Sequence, residues 1–151
     1  MYINEKNDIN RFRREQDRDY ETALREISEG KKRGHWIWYI FPQLRGLGQS
    51  SNSDYYGIRD LEEARAYLSD PTYSHRLYEI TRALLDLEPE NPRKIFDFIN
   101  APKVCSCMTL FEAAEGVDDS IFGKVLEKFY GGYRDQLTIK MIETRKKYRN
   151  I

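Results

Sequence analysis

The sequence predicts a mainly α protein, a single compact multi-helix domain with at most minor β, and three observations carry that prediction. Apolar residues recur at helical spacing in one segment after another. Cap residues stand where those segments start, and glycine or proline stands where they stop. No run alternates over several strands, and there is no internal repeat or linker. A chain of 151 residues that is 40% hydrophobic and 33% charged can bury one core and solvate its own surface. One domain spanning 1–151 is expected, with residues 1–8 and 148–151 fraying.

The first helix is expected from Ile9, capped by Asp8, with Phe12, Tyr20, Ala23, Leu24 and Ile27 on one face and Gly30 as its stop. The apolar run His35-Trp36-Ile37-Trp38-Tyr39-Ile40-Phe41-Pro42 fits a short strand or a buried helical turn equally well. Gln43 to Asp60, rich in glycine, serine and asparagine, reads as a long ordered loop. Asp60 caps a helix through Leu68, and Asp70-Pro71 breaks it and starts another through Leu77, Ile80 and Leu84. Pro92 opens a short helix that Pro102 interrupts before the apolar segment Val104 to Ala114. Asp118-Asp119-Ser120 leads into a helix ended by Gly131-Gly132, and Asp135 caps the last one.

Several functional classes recede on composition alone. The 25 basic and 25 acidic residues cancel, so no global field draws the chain to nucleic acid or an anionic membrane. The basic stretch Lys140, Arg145, Lys146, Lys147 and Arg149 reads as the solvated end of a helix with cations suited to its dipole. The segment Met1 to Asp8 is polar, with no signal-peptide pattern, and no apolar run approaches the roughly 18 residues of a membrane span. Cys105 and Cys107, one residue apart, fit reduced thiols, so a cytoplasmic location is expected. Their spacing does not suit a zinc site, and neither a resident metal nor a cofactor is expected.

Most of the chemistry-bearing candidates lie between His35 and Tyr56. Trp36, Trp38, Tyr39 and Phe41, beside His35 and Gln43, offer flat faces and polar edges suited to a planar ligand, or they are core. Arg45-Gly46-Leu47-Gly48-Gln49-Ser50 could turn backbone amides toward a phosphate, or be an ordinary turn; it matches neither the P-loop nor the dinucleotide fingerprint. His35 is a candidate general acid or ligand-orienting group, and His75 a surface or packing residue. Asp54 and Asp135 are carboxylates outside the regular solvent faces, each a candidate catalyst or a cap.

The run His35 to Leu44, with Gly46-Leu47-Gly48, Ser50, Tyr56-Gly57-Ile58, Ala64 to Leu68 with Pro71, Ser106 with Met108 to Phe111, and Phe122, Val125, Leu126, Phe129, Gly131, Asp135 and Thr138, resembles an uncharacterised bacterial family often mistitled calpastatin. The likeness covers about residues 12 to 140. That family is similar in turn to the NADAR superfamily of helical domains linked to NAD and ADP-ribose, some of which cleave N-glycosidic bonds. The resemblance implies a pocket for a ribosylated, phosphorylated base. The chain departs from NADAR in lacking its glutamate-histidine motif; Ser53 to Tyr56 lie roughly where it would fall.

The resulting expectation is a nucleotide- or ADP-ribose-type ligand-binding domain, with N-glycosidic hydrolysis as its enzymatic form. His35, Trp36, Trp38, Gln43, Gly46, Gly48, Ser50, Tyr56 and Thr109 form the expected ligand-binding set: the indoles stack the base, and the glycines with Ser50 hold phosphate. Asp54 or Asp135 activates water. The alternative is a non-enzymatic interaction module that offers the aromatic face to a protein partner. Oligomeric state is left open.

Overall fold

The computed structural model describes residues 5–149; of the ends expected to fray, 1–4 and 150–151 lie outside it, as do the side chains of Glu5, Lys147, Tyr148 and Arg149. Among the described residues, the β content is one isolated parallel bridge, Leu44 to Ile58. Eight α-helices carry the rest: α1 (Arg13–Ser28), α2 (Ile37–Ile40), α3 (Ser51–Tyr56), α4 (Leu61–Ser69), α5 (Pro71–Leu85), α6 (Pro92–Glu115), α7 (Ile121–Tyr130) and α8 (Gln136–Arg149). None is long and apolar enough to cross a membrane.

Local capping chemistry explains most boundaries. Asp8 accepts from the Asn10 amide and starts a 3-10 turn, Ile9–Phe12, that feeds α1. Asp60 caps α4 through the Glu63 amide. The single residue Asp70 serves two helices: its N–H donates to Ala66 at the end of α4, and its carboxylate accepts from Thr72 and Tyr73 at the start of α5. Ser120 caps α7, Gly131 closes it at φ 62°, and Asp135 accepts from the Thr138 amide at the start of α8.

The aromatic run forms the one-turn helix α2, stopped at Pro42 because proline has no N–H to continue it. The Gln43 to Asp60 segment is not all loop. Ser50 caps α3, which buries Ser53 and Tyr56 one turn apart.

The break in α6 also differs from expectation. It falls at Asp97, not Pro102, because Asp97 adopts φ 74° and its carboxylate accepts from the Ile99 and Asn100 amides, restarting the helix at Phe98. Asp97→Ala keeps the left-handed backbone but loses the cap, and the two effects combine to an expected loss of about 2 kcal/mol. Asp97→Gly relieves the backbone as it loses the cap and should fall within about 1 kcal/mol of wild type. Urea unfolding of both variants checks this ordering, and equal losses would contradict it.

Beyond that break α6 is the hub of the core. Every residue from Val104 to Phe111 is buried, as expected of a helix surrounded by others, here α4, α7 and α8. Phe12 drives the entry turn into the same core, edge-on to Tyr67 at 5.3 Å and Tyr73 at 5.8 Å. One fully buried ion pair, Arg11 to Glu63 at 2.7 Å, ties that turn to α4.

Candidate functional site

Of the expected site residues, the structure brings Trp38, Gln43 and Tyr56 to one hollow and Asp135 to another. Trp36 belongs to neither. It is 2% exposed, and its indole N–H donates to Glu26 Oε1 at 2.9 Å, so neither of its faces is open to a ligand. This corrects the expectation that both indoles stack a base. It also removes most of the aromatic face from the interaction-module reading, because Ile37, Tyr39, Ile40 and Phe41 are buried with it. Trp38 is partly buried, and His35 stands exposed with its carbonyl accepting from Tyr39 Oη.

The first hollow lies where Trp38, Gln43, Ser53 and Tyr56 meet Lys103 of α6, and its volume is about 10 Å³. That is room for roughly one water molecule, not for a nucleobase. Gly48 permits the arrangement: a methyl group there would meet Ser53 Oγ at 2.3 Å, with Gln43 Nε2 at 3.5 Å. Lys103 Nζ lies 5.4 Å from the Trp38 ring centroid. Lys32 is close enough to feel it: burial first, and then the Lys103 charge, hold the Lys32 ammonium below its ordinary pKa, against Asp97 and Glu26.

The expected phosphate cradle is taken apart by other duties. Ser50 Oγ accepts from the Ser53 amide as the cap of α3. Around Gly46, α8 closes in, so that a methyl group would sit 3.0 Å from Arg145 Nη2 and 3.1 Å from Met141 Cε. The Arg145 guanidinium is itself spent on the backbone carbonyls of Arg45 and Arg59. Asp54 is a surface residue of α3 paired with Lys6 at 3.2 Å.

Asp135 is placed differently. It lines the second hollow, a groove of about 260 Å³ between the start of α6 and the α7–α8 turn, with Asn91, Arg93, Cys105, Tyr130 and Tyr133. Tyr133 stands 54% exposed in that groove. Tyr130 is fixed through its hydroxyl, which donates to the Ala101 carbonyl at 2.7 Å. Thr109 sits behind the groove and is buried; it donates to the Cys105 carbonyl and accepts from the Asp135 amide at 3.0 Å, so it positions Asp135. One carboxylate oxygen of Asp135 is held by Thr138. Burial, with Asp135 nearby, pushes the Cys105 thiol up to about 11, so it is not a thiolate nucleophile at neutral pH.

Sequence reasoning passed over Lys103, Arg93, Tyr130 and Tyr133. Lys103 had a signal: it is the single charged residue between Ala101 and Phe111. The pair Tyr130 and Tyr133 flank the double glycine immediately before Asp135, and an aromatic held in a turn is a candidate ligand face. Among the described residues no three His, Cys, Asp or Glu side chains come together as metal ligands.

A family model described as "Protein of unknown function (DUF1810)" matches residues 6–142. No curated protein matches the chain. The chain is similar to a conserved hypothetical protein, Rv1873 from Mycobacterium tuberculosis, known from a crystal structure: the two are 40% identical, the match covers 90% of this chain and 96% of that one, and the TM-score is 0.87.

Proposed function

Because this chain belongs to the DUF1810 family, whose description names no activity, its function must be read from its own residues, and we propose that it binds a compact planar ligand of nucleobase or nucleoside type in the groove between α6 and the α7–α8 turn. The observation that carries this reading is the lining of the groove. An exposed tyrosine face, a carboxylate and a guanidinium stand around an otherwise apolar cleft, the combination that orients a flat, polar-edged molecule. Tyr133 stacks the ring, Asp135 accepts from ring or ribose donors, and Arg93 answers a phosphate if one is attached. A groove of about 260 Å³ lies below the usual range of roughly 300–1,000 Å³, so it takes the base end of an ADP-ribose-type molecule and leaves the remainder outside.

The enzymatic form of the reading uses the same carboxylate. Asp135 takes a proton from water, the water oxygen bonds to the anomeric carbon, and the base leaves with the glycosidic electron pair and is protonated by solvent. Asp135→Asn keeps a side-chain acceptor for the α8 cap and should remove turnover without removing the fold.

Calorimetric titration with adenosine, AMP, ADP-ribose and NAD tests the binding. Tyr133→Ala should weaken it by about tenfold or more, since stacking on one aromatic ring is worth roughly 1–3 kcal/mol. Absence of binding at millimolar ligand, or unchanged affinity in the variant, sinks the reading.

A second reading rests on a different surface. Phe98 and Ile99, adjacent in the restarted turn of α6, are 69% and 68% exposed, a pairing more often seen on proteins that associate. Sedimentation of wild type and a Phe98→Ser/Ile99→Ser variant separates the two: a wild-type oligomer that dissociates in the variant supports association, and monomers in both exclude self-association through this pair.

A further inference from the structure

The hollow at Trp38 is lined by hydrogen-bond donors, one of them buried and unpartnered. The Trp38 indole N–H is buried with no hydrogen-bond partner, an arrangement that costs of order 1–3 kcal/mol if nothing fills it. The Gln43 side chain lies in the same lining, with its Nε2 beside Gly48. Ser53 Oγ receives the Ser50 hydroxyl at 3.0 Å, which leaves its own proton free to donate. Lys103 contributes a positive charge 5.4 Å from the Trp38 ring centroid, and no carboxylate lines the hollow.

A cation is refused by that lining. A water molecule could be held by the Gln43 and Ser53 oxygens, but it gains less from the half-buried Lys103 charge than an anion does. An anionic oxygen satisfies the donors and the charge together.

We propose that this hollow is an oxyanion subsite that receives one terminal oxygen of a phosphate group, with Lys103 supplying the charge and Trp38 Nε1, Gln43 and Ser53 supplying hydrogen bonds. A volume of about 10 Å³ admits a single oxygen, so the phosphorus and its remaining oxygens stay at the mouth beside Lys103. The single lysine in the lining favours an anionic oxygen over a neutral one. The site is separate from the groove. At about 100° per helical residue, Lys103 projects from a side of α6 well away from Ala101 and Cys105, which line the groove. The proposal therefore stands or falls independently of the ligand assigned there.

The test uses the full chain. Tryptophan fluorescence and melting temperature are followed against inorganic phosphate, against ribose 5-phosphate, and against sodium chloride at matched ionic strength. A saturable change with either phosphate compound, absent with chloride, is expected. Saturation by both identifies free phosphate as sufficient, and saturation by ribose 5-phosphate alone identifies a phosphate monoester. Lys103→Met should weaken the response by at least about tenfold, the weight of one charge-assisted contact. Gln43→Glu places a carboxylate beside Lys103 and should abolish the response while the melting temperature in phosphate-free buffer is kept. No response beyond that of chloride, or a Gln43→Glu protein that still saturates with phosphate, overturns the proposal.

Discussion

Replacing Arg11 by methionine should destabilise the protein by about 3–5 kcal/mol, the range for removing one partner of a buried ion pair. The pair is sealed: the Arg11 side chain is 0% exposed and that of Glu63 is 4%. Arg11 also does more than neutralise Glu63. Its guanidinium donates to the carbonyls of Asp8, Tyr55 and Gly57 at 2.9, 2.9 and 2.7 Å, so one side chain pins the entry turn and the end of α3 to α4. Methionine fills the volume but leaves the buried Glu63 carboxylate with only the Arg59 amide at 3.0 Å and the Arg59 guanidinium at 3.7 Å, and takes the guanidinium from the Tyr55 and Gly57 carbonyls. At roughly 2–4 °C per kcal/mol for a chain of this size, the melting point should fall by about 6–20 °C. Many buried pairs can be exchanged for apolar residues at little cost when both partners go together. Here Arg11→Met/Glu63→Leu should not recover wild-type stability, because the Tyr55 and Gly57 carbonyls still lose the guanidinium that serves them. Guanidinium unfolding of both variants decides this; a double variant as stable as wild type would show that the carbonyl contacts carry no weight.

That pair joins residues 52 positions apart, and nothing local in the sequence announces it. The distinction runs through the whole fold. Asp8, Asp60, Asp70, Ser120, Asp135 and the double glycine were legible because capping is decided within a few residues of chain. The helix α3 was not, since Ser-Asn-Ser-Asp-Tyr-Tyr has the composition of a loop and becomes helical where Ser50 caps it and the core takes Ser53 and Tyr56. At α6 the eye falls on Pro102, a strong local breaker, whereas the break needs only an aspartate willing to take a left-handed φ and cap the next turn.

The site was legible in parts for a similar reason. Residues two apart share a face in a strand but lie about 200° apart in a helix. Expecting Trp36 and Trp38 to stack on one base presumes the strand form of a run that fits both. The helical turn α2 sends Trp36 inward to Glu26 and leaves Trp38 at the edge of a hollow. The glycine loop was a reasonable place for an anion until α8, some hundred residues downstream, laid Arg145 across it. Asp135 is the nominated carboxylate that lines a groove; Tyr130 and Tyr133 reach it through the local turn, whereas Arg93, from the start of α6, is brought there by the fold alone.

Glu26→Ala should be the second large loss, about 2–4 kcal/mol, because it leaves several donors in a half-buried to buried place without an acceptor. A single oxygen, Glu26 Oε1, accepts from the Arg33 and Gly34 amides and from the Trp36 indole at 2.8, 2.9 and 2.9 Å. Burial opposes the charge on this carboxylate, but the two amides, the indole and the Arg33 charge outweigh it and hold its pKa below the ordinary 4.5. Through linkage, a depressed folded-state pKa gives stabilisation that is complete above the unfolded value and is lost as pH falls through the folded one. Glu26→Gln keeps an acceptor oxygen without the charge, so it should cost less than the alanine variant at neutral pH. The stability gap between wild type and Glu26→Gln should be constant above about pH 5 and shrink as pH falls below 4.5, where the wild-type carboxylate gains its proton. Urea midpoints measured from neutral pH down to about pH 3 test this. A gap that stays the same across the range would mean that the shape of the side chain, not its charge, holds Trp36 in the core.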